Sequence, residues 1–266
     1  MVLVSWLRRH LLTFAAMAVL AILLVPNLVV ALFSFNKPNG RYNYEWVRPS
    51  ADAWIHPCGT PGICDSLGLS LRIGIIASLT ATVLGTMVAF ALGRHRFRGR
   101  AATNLLIFMP MATPEVVMGS SLLTLFVAMG LPAGTEAILI AHIMFCLSFV
   151  VVAVKARVSA LDPALEEAAA DLGASPVTTF VKITLPLAAP GIAAGALLAF
   201  SLSFDDYIIT NFNASPSSVT FPMFVWGAAQ RGTPVQINVI GTVMFIVSVS
   251  IVLIAQLVSA RRTRKA

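Results

Sequence analysis

Three carboxylates stand within or at the end of strongly apolar segments, namely Glu115, Asp205 and Asp206. A carboxylate loses much of its solvation there, so one that is kept in such a place usually faces a water-filled path or a partner. Asp205 and Asp206 are adjacent and repel each other, and a cation with several charges relieves that repulsion. Ser203 lies three residues before Asp206 and shares its face if the segment is helical. These residues predict a site for a cationic solute.

Simpler structural explanations stay open for the same acids. Pro110 and Pro114 predict that the helix carrying Glu115 is broken, which is where transport sites are often built. However, Thr113 and Pro114 can also form a helix start, whose dipole a following carboxylate complements. The acidic pair can equally do no more than end its segment in water.

The aromatic residues of one polar region allow two interpretations. Trp46, Trp54, Tyr42 and Tyr44 lie in the segment that follows the first apolar run. Such residues commonly anchor a protein at the membrane interface. Their rings can also stack on ammonium groups.

Composition places the chain in a bilayer. Of its 266 residues 58% are hydrophobic and 11% are charged, and the mean hydropathy is +0.88. This leaves too little polar surface to cover a soluble globule. Six apolar segments are long enough, or nearly so, to cross about 30 Å of hydrocarbon. They are Leu11–Phe33, Leu69–Leu92, Leu105–Ala128, Ala137–Val154, Leu187–Phe204 and Ile237–Val258. We therefore predict an all-α membrane protein with six transmembrane helices.

The distribution of Lys and Arg predicts the orientation. Because cytoplasmic loops are enriched in these residues, both termini are predicted to be cytoplasmic, which places 13 of the 18 inside. The inside residues are Arg8, Arg9, Arg94, Arg96, Arg98, Arg100, Lys155, Arg157, Lys182, Arg261, Arg262, Arg264 and Lys265. They are spread over several cytoplasmic pieces, so the net charge of +7 indicates topology and contact with anionic membrane lipid, and not nucleic-acid binding.

The cysteines and one histidine have structural interpretations. Cys58 and Cys64 lie in the predicted external loop, where an oxidising environment allows them to form a disulfide, while metal binding is less favoured because His56 is the only nearby additional ligand. Cys146 is predicted to be a packing residue. His142 stands in the fourth segment without a neighbouring carboxylate in sequence, so a hydrogen-bonded interior histidine is favoured over a ligand or a proton relay. No metal site is predicted.

Two glycines bear on helix packing, and the absence of a phosphate-binding motif bears on ATP hydrolysis. Gly191 and Gly195 are four residues apart, a spacing that lets helices approach closely. A phosphate-binding loop of the form Gly-x4-Gly-Lys-Ser/Thr is absent from the sequence. Any ATP hydrolysis is therefore predicted to belong to another polypeptide.

A polar insert between the fourth and fifth segments reads as two short helices. Asp162 can cap the first by accepting a backbone N–H, and Pro163 suits its first position. Gly173 supplies a stop. Ser175–Pro176 repeats the cap-then-proline start, and Pro186 is predicted to end the second helix.

This insert resembles the EAA loop of ABC-importer permeases. The elements that carry the resemblance are Glu167–Ala169, Gly173 and Ile183–Pro186, at that family's spacing. The resemblance implies a coupling helix that enters a cleft on a separate ATPase subunit. The residues it predicts for ATPase coupling are Glu167, Ala168, Ala169, Asp171, Gly173, Ile183, Leu185 and Pro186.

A more specific resemblance extends over nearly the whole chain. The segments Arg94–Arg100, Met109–Met118, Asp171–Ser175 and Phe200–Tyr207 look like the second permease subunit type of spermidine/putrescine ABC importers. In that family, residues matching Glu115, Ser203, Asp205, Asp206 and an external tryptophan are implicated in polyamine passage; Trp54 is aligned with that tryptophan, and Trp46 is its rival. This sequence departs from the family in having Glu115 where an aspartate is familiar, and in the insert between Cys58 and Cys64.

The resemblance also implies a fold, partners and a location. The fold would be that of a type I ABC importer (MetI-like) permease in the bacterial cytoplasmic (inner) membrane. The partners would be a homologous second permease, two ATPase subunits and an external solute-binding protein. The chain itself would have no active site and no cofactor, since ATP and Mg would bind to the ATPase.

The predicted organisation has three parts: an N-terminal helix with an external loop (1–67), a permease core (68–259) that contains the coupling loop (157–186), and a basic tail (260–266).

Two alternative functions are compatible with the same predicted helices. One is a permease of the same type for an amino acid, thiamine or ferric ion, in which the acids are incidental. The other is a membrane scaffold without a transport role.

Overall fold

The computed structural model describes residues 2–263 and the side chains of residues 10–254. In this part of the chain the regular elements are helices, besides one isolated antiparallel bridge between Asn36 and Pro49. The helices are α1 (Val2–Phe33), α2 (Asp52–Ile55), α3 (Ile63–Arg94), α4 (Arg100–Ala112), α5 (Glu115–Ala128), α6 (Thr135–Ser159), α7 (Ala164–Asp171), α8 (Pro176–Thr179), α9 (Leu185–Asp205), α10 (Ile208–Asn213), α11 (Phe221–Arg231) and α12 (Val235–Thr263), with a π-helical turn (Phe180–Thr184) between α8 and α9. The all-α prediction is confirmed. Arg264 and Lys265 of the predicted basic tail lie outside the described residues.

The predicted spans correspond to helices of the right length. Among the described residues, five helices are long and apolar enough to cross a membrane, and the α4–α5 pair makes a sixth if it counts as one crossing. The five are His10–Phe33, Ile63–Arg94, Thr135–Ser159, Pro176–Asp205 and Val235–Ile254. The fourth of these is longer than predicted, because α8, the π turn and α9 run on without a break.

The third predicted span is broken, as its prolines indicate. α4 and α5 meet at an angle of 110°. The break lies at Thr113, whose ψ of 131° is extended because a following proline disfavours helical backbone. Pro110 stays inside α4, so Pro114 is the residue responsible for the break.

The chain divides into two compact units. The first is formed by the N-terminal and C-terminal segments, which pack against each other. It comprises the described residues of Met1–Cys64 and Val225–Ala266. In it α12 packs against α1 and α2. The loop after α1 is ordered by Asn36, whose side-chain amide donates to Asn43 Oδ1 (2.7 Å), and by a disulfide between Cys58 and Cys64. These units divide the chain differently from the sequence-based division at residues 67 and 259, because α12 belongs with α1.

The second unit, Asp65–Phe224, is built around α6. This helix packs against α4, α5, α9 and α10. In its most apolar window 56% of the residues are buried, compared with 22% for the Pro176–Asp205 helix. The apolar core therefore lies along α6.

Two glycines let α6 and α9 of this unit approach closely. A Cβ at Gly191 would lie 2.5 Å from Cβ of Arg157, and one at Gly195 would lie 3.5 Å from Cα of Val150. Arg157 Nε also donates to the carbonyl of Leu187 at 2.9 Å. The sequence-based interpretation of Gly191 and Gly195 as packing residues is confirmed.

We predict that Gly191→Ala destabilises the protein, whereas Gly68→Ala does not. Alanine at Gly191 forces α6 and α9 apart, at a cost of about 1–3 kcal/mol. Nothing lies within 4 Å of a Cβ at Gly68, a residue of α3. Alanine there should be neutral or stabilise the helix by up to about 1 kcal/mol. Thermal unfolding of the purified protein in detergent measures both, and equal melting temperatures would contradict the close α6–α9 contact.

Candidate functional site

Glu115 lies at the proline break. It begins α5 directly after Pro114, and its side chain is exposed. Neither Pro114 nor Thr113 caps α5 with a side chain; the Thr113 hydroxyl instead donates to the carbonyl of Met109 at 2.7 Å. Behind Glu115, a Cβ at Gly119 would lie 2.8 Å from the ring of Phe212, so α5 packs tightly on α10. The carboxylate is therefore held at the surface by a rigid backbone.

The two adjacent aspartates at the end of α9 have different environments. Asp205 is the last residue of α9 and is exposed. Asp206 turns inward, where its carboxylate accepts the backbone N–H of Ile209 (3.3 Å) and of Thr210 (2.7 Å). These bonds fix the reversal of the chain from α9 into α10. Of the predicted pair, only Asp205 is presented to solvent.

A buried polar cluster joins α6, α9 and α10. His142 Nδ1 lies 2.7 Å from Oγ of Ser203, and Nε2 lies 2.9 Å from Oγ1 of Thr210 and 3.3 Å from Oδ2 of Asp206. We call these four residues the His142 cluster, and each of them is at most 9% exposed. Ser203 and Asp206 do share a face, as predicted from their spacing. In this structure that face points to His142 and not to solvent.

The sequence analysis singles out His142, Ser203 and Asp206, but it does not predict that His142 contacts the other two. His142 was expected to be an interior hydrogen-bonded histidine, and the structure confirms this. Its carboxylate partner was missed, because Asp206 is 64 residues away in the sequence, and no local pattern reports such a contact. Thr210 was missed for the same reason.

The two tryptophans predicted to be external, Trp46 and Trp54, lie in the first unit and differ in the exposure of their rings. Trp54 stacks on Phe35 with ring centroids 5.2 Å apart, and its indole N–H donates to Ser34 Oγ at 3.1 Å. Trp46 is 45% exposed and makes an edge contact with Phe33 at 6.2 Å. Tyr42 stacks on a neighbouring tyrosine. Trp46 is thus the ring with the more available face.

The polar insert forms a hairpin of α7 and α8, which we call the coupling hairpin (residues 157–186). Asp162 Oδ1 accepts the N–H of Ala164 at 3.0 Å, and Ser175 Oγ accepts the N–H of Thr178 at 3.3 Å, so both predicted caps are present. Gly173 has φ +79°, a left-handed conformation that lets the chain turn after α7.

The prediction that Pro186 ends the second helix is wrong. Pro186 is the second residue of α9 and follows the π turn almost directly. The preceding π turn widens the helix, since the N–H of Leu185 bonds to the carbonyl of Phe180, five residues back. The helix therefore continues through the proline into the membrane span.

One charged residue anchors the coupling hairpin to the helices beneath it. Glu166 Oε1 lies 3.2 Å from Nη2 of Arg94, at the end of α3, and accepts the hydroxyl of Thr184 at 2.9 Å. This ion pair is not among the contacts predicted from the sequence. A contact over 72 residues leaves no trace in local spacing.

The predicted coupling residues lie mostly on the open side of the hairpin. Glu167, Ala168, Asp171, Gly173 and Pro186 are exposed; Ile183 and Leu185 are half-buried, and Ala169 is buried. Beside them, two apolar side chains point outward: Leu172 is 89% exposed and Val177 is 73% exposed. Apolar side chains this exposed indicate a surface that another protein or lipid covers.

Metal binding has no support in the part of the chain that the structure describes. No group of three or more His, Cys, Asp or Glu side chains lies close enough there to hold an ion. His56 instead lies 3.5 Å from Asp52, one helical turn away.

Residues 81–265 match the family described as "Binding-protein-dependent transport system inner membrane component". The chain is 35% identical, over 91% of its length and 94% of the relative's, to the spermidine/putrescine transport system permease protein PotC of Haemophilus influenzae. It is 38% identical, over 84% of its length and 81% of the relative's, to the putrescine transport system permease protein PotI of Escherichia coli K12.

The same fold is found in a solved transporter. A chain of the bacterial alginate ABC transporter, in complex with an alginate pentasaccharide-bound periplasmic protein, superposes with a TM-score of 0.69. The match covers 97% of this chain and 96% of that one at 15% identity. The predicted type I ABC importer permease fold is therefore confirmed.

We predict that Asp206→Ala lowers thermal stability much more than Asp205→Ala. Removing the Asp206 carboxylate leaves the backbone N–H groups of Ile209 and Thr210 without their acceptor in the interior, at a cost of about 2–4 kcal/mol. Asp205 is exposed, so its removal should leave the melting temperature nearly unchanged. Melting curves of the two detergent-solubilised variants provide the measurement, and a larger loss for Asp205→Ala would refute the division of roles between them.

Proposed function

Because this chain belongs to the family of binding-protein-dependent transport system inner membrane components, we propose that it is a permease subunit of an ATP-driven importer for polyamines. It is a multi-pass protein of the cytoplasmic membrane. The observation that carries the substrate class is the similarity to spermidine/putrescine and putrescine permeases along most of the chain. The exposed carboxylates Glu115 and Asp205 agree with a cationic solute.

The coupling hairpin supports the proposed connection to a separate ATPase. It presents two acids, Glu167 and Asp171, beside the exposed Leu172 and Val177. A mixed apolar and charged surface of this kind suits insertion into a cleft of another protein. The proposed assembly has two ATPase subunits, a second homologous permease and an external solute-binding protein. The hairpin would then lie in the cytoplasm, as would both termini.

A continuous helix gives a mechanical path between the two ends of the subunit. The helix from Pro176 to Asp205 has 30 residues, starts in the coupling hairpin and ends at the exposed carboxylate of Asp205. At 1.5 Å per residue it is about 45 Å long, which exceeds the thickness of the hydrocarbon core. Motion imposed on the hairpin by ATPase closure is therefore delivered to the outer end. Rocking of such helices exposes a site alternately to the two sides.

The outer end of this helix has the electrostatics that a polyamine needs. A solute with two or more ammonium groups cannot cross hydrocarbon without compensating charge. The last carbonyls of α9 carry the negative end of the helix dipole, and Asp205 adds a full negative charge to it. Separately, in the first unit, Trp46 has an aromatic face that an ammonium group could stack on. A permease of the same type for an amino acid, thiamine or ferric ion is the alternative that the uptake test separates.

We predict that Asp205→Asn and Glu115→Gln each raise the KM for putrescine uptake. Neutralising an exposed carboxylate weakens its attraction for the cation, by about two- to fivefold in KM. Uptake of radiolabelled putrescine by cells that depend on this transporter is the measurement. Asp52→Asn, an exposed acid paired with His56, is the matched control. Unchanged KM in both path variants would rule out the polyamine assignment of these acids.

We predict that Leu172→Ser uncouples the transporter. Loss of a buried leucine contact at the ATPase would weaken the complex by about 1.5–3 kcal/mol. The purified complex should show lower solute-stimulated ATP hydrolysis and less co-purified ATPase. Ile55→Ser removes a similarly exposed apolar side chain (71%) from the first unit and should change neither quantity. If Leu172→Ser behaved like this control, the hairpin would not be the ATPase contact.

A further inference from the structure

The protons of the His142 cluster can be assigned from its distances. Asp206 accepts two backbone N–H groups, so its carboxylate acts only as an acceptor. The hydroxyl of Thr210 donates to Asp206 Oδ2 at 2.8 Å. Having donated its own proton, Thr210 Oγ1 can only accept from His142 Nε2, which lies 2.9 Å away. Nε2 therefore carries a proton.

The other side of the ring completes the assignment. With Nε2 protonated, a neutral His142 accepts at Nδ1, and the Ser203 hydroxyl at 2.7 Å supplies the proton. Each polar hydrogen in the cluster then has an acceptor. With His142 neutral, the direction is uniform: Ser203 donates to His142, His142 donates to Thr210 and Asp206, and Thr210 donates to Asp206. A satisfied network in the interior is rigid, because any broken bond leaves a buried polar group unpaired.

We propose that His142 is a positioning residue for the cation site at the end of α9. By holding the Asp206 side chain inside the subunit, it fixes the reversal from α9 to α10 and leaves Asp205 as the carboxylate that faces the solute. His142 itself does not touch the solute, since it is 1% exposed. This inference rests on the proposed function and names a residue that the uptake of polyamines depends on indirectly.

Two amide substitutions of His142 separate its two ring nitrogens. In His142→Gln, the amide nitrogen of the new side chain reaches the place of Nε2 and can donate to Thr210 and Asp206. In His142→Asn, the shorter amide reaches only the place of Nδ1 and keeps contact with Ser203 alone. His142→Asn should therefore release Asp206, whereas His142→Gln should hold it.

The experiment is putrescine uptake by the assembled transporter in cells, with rates normalised to the permease in the membrane. We expect His142→Asn to raise the KM by about two- to fivefold, no more than Asp205→Asn does, and His142→Gln to leave the KM at the wild-type value. His56→Gln, the same substitution on a histidine that is 67% exposed, serves as the control and should match the wild type. A role in folding alone would lower the amount of protein and the maximal rate and leave the KM unchanged.

A second variant covers the case in which His142→Asn does not accumulate. Thr210→Val keeps the side-chain shape and removes the hydroxyl between His142 and Asp206, so it should also raise the KM. Wild-type KM in whichever of these variants accumulates, or equal KM in His142→Asn and His142→Gln, overturns the positioning role. If Asp205→Asn raises the KM while these variants do not, only this inference fails. If Asp205→Asn leaves the KM unchanged as well, the proposed path fails with it.

Discussion

Close contact between α6 and α9 is the constraint on which the second unit depends. Lipid supplies no hydrophobic force between helices, so their association relies on packing and hydrogen bonds. Gly191 and Gly195 bring the backbone of α9 against α6. At one end Arg157 bonds to a carbonyl of α9, and at the other His142 bonds to a serine of α9. Contacts with α6 therefore run from Leu187, near the start of α9, to Ser203, near its end.

The coupling hairpin is fastened to this pair by different means. Glu166 connects α7 to Arg94 of α3 and to Thr184 of the π turn. The hairpin is therefore tied both to a neighbouring span and to the base of α9. The π turn is the point where the helix is least regular, and such turns are often placed at functional positions. α7 is therefore connected to α9 in two ways: through the bond between Glu166 and Thr184, and through the backbone that runs from α7 by way of α8.

Local features were predictable from sequence, and long-range ones were not. The break at Pro114, the caps at Asp162 and Ser175 and the turn at Gly173 each follow from backbone chemistry within a few residues. Pro186 misled the prediction, because a proline stops a helix only if the preceding turn stays α-helical. The partner of His142 could not be found, since it depends on how α6, α9 and α10 pack. The sequence thus names several residues of the candidate site, but neither Thr210 nor the arrangement of the His142 cluster could be predicted from it.

The carboxylates differ in burial, and the free-energy cost of burying a charge explains the difference. Asp206 can be buried because backbone N–H groups, a hydroxyl and His142 replace its water. Glu115 and Asp205 stay exposed on the subunit. A charge at such a position cannot face lipid, so it requires water, a solute or a second subunit. The proposed path, shared with a second permease, would supply all three and would account for acids at a helix break and at a helix end.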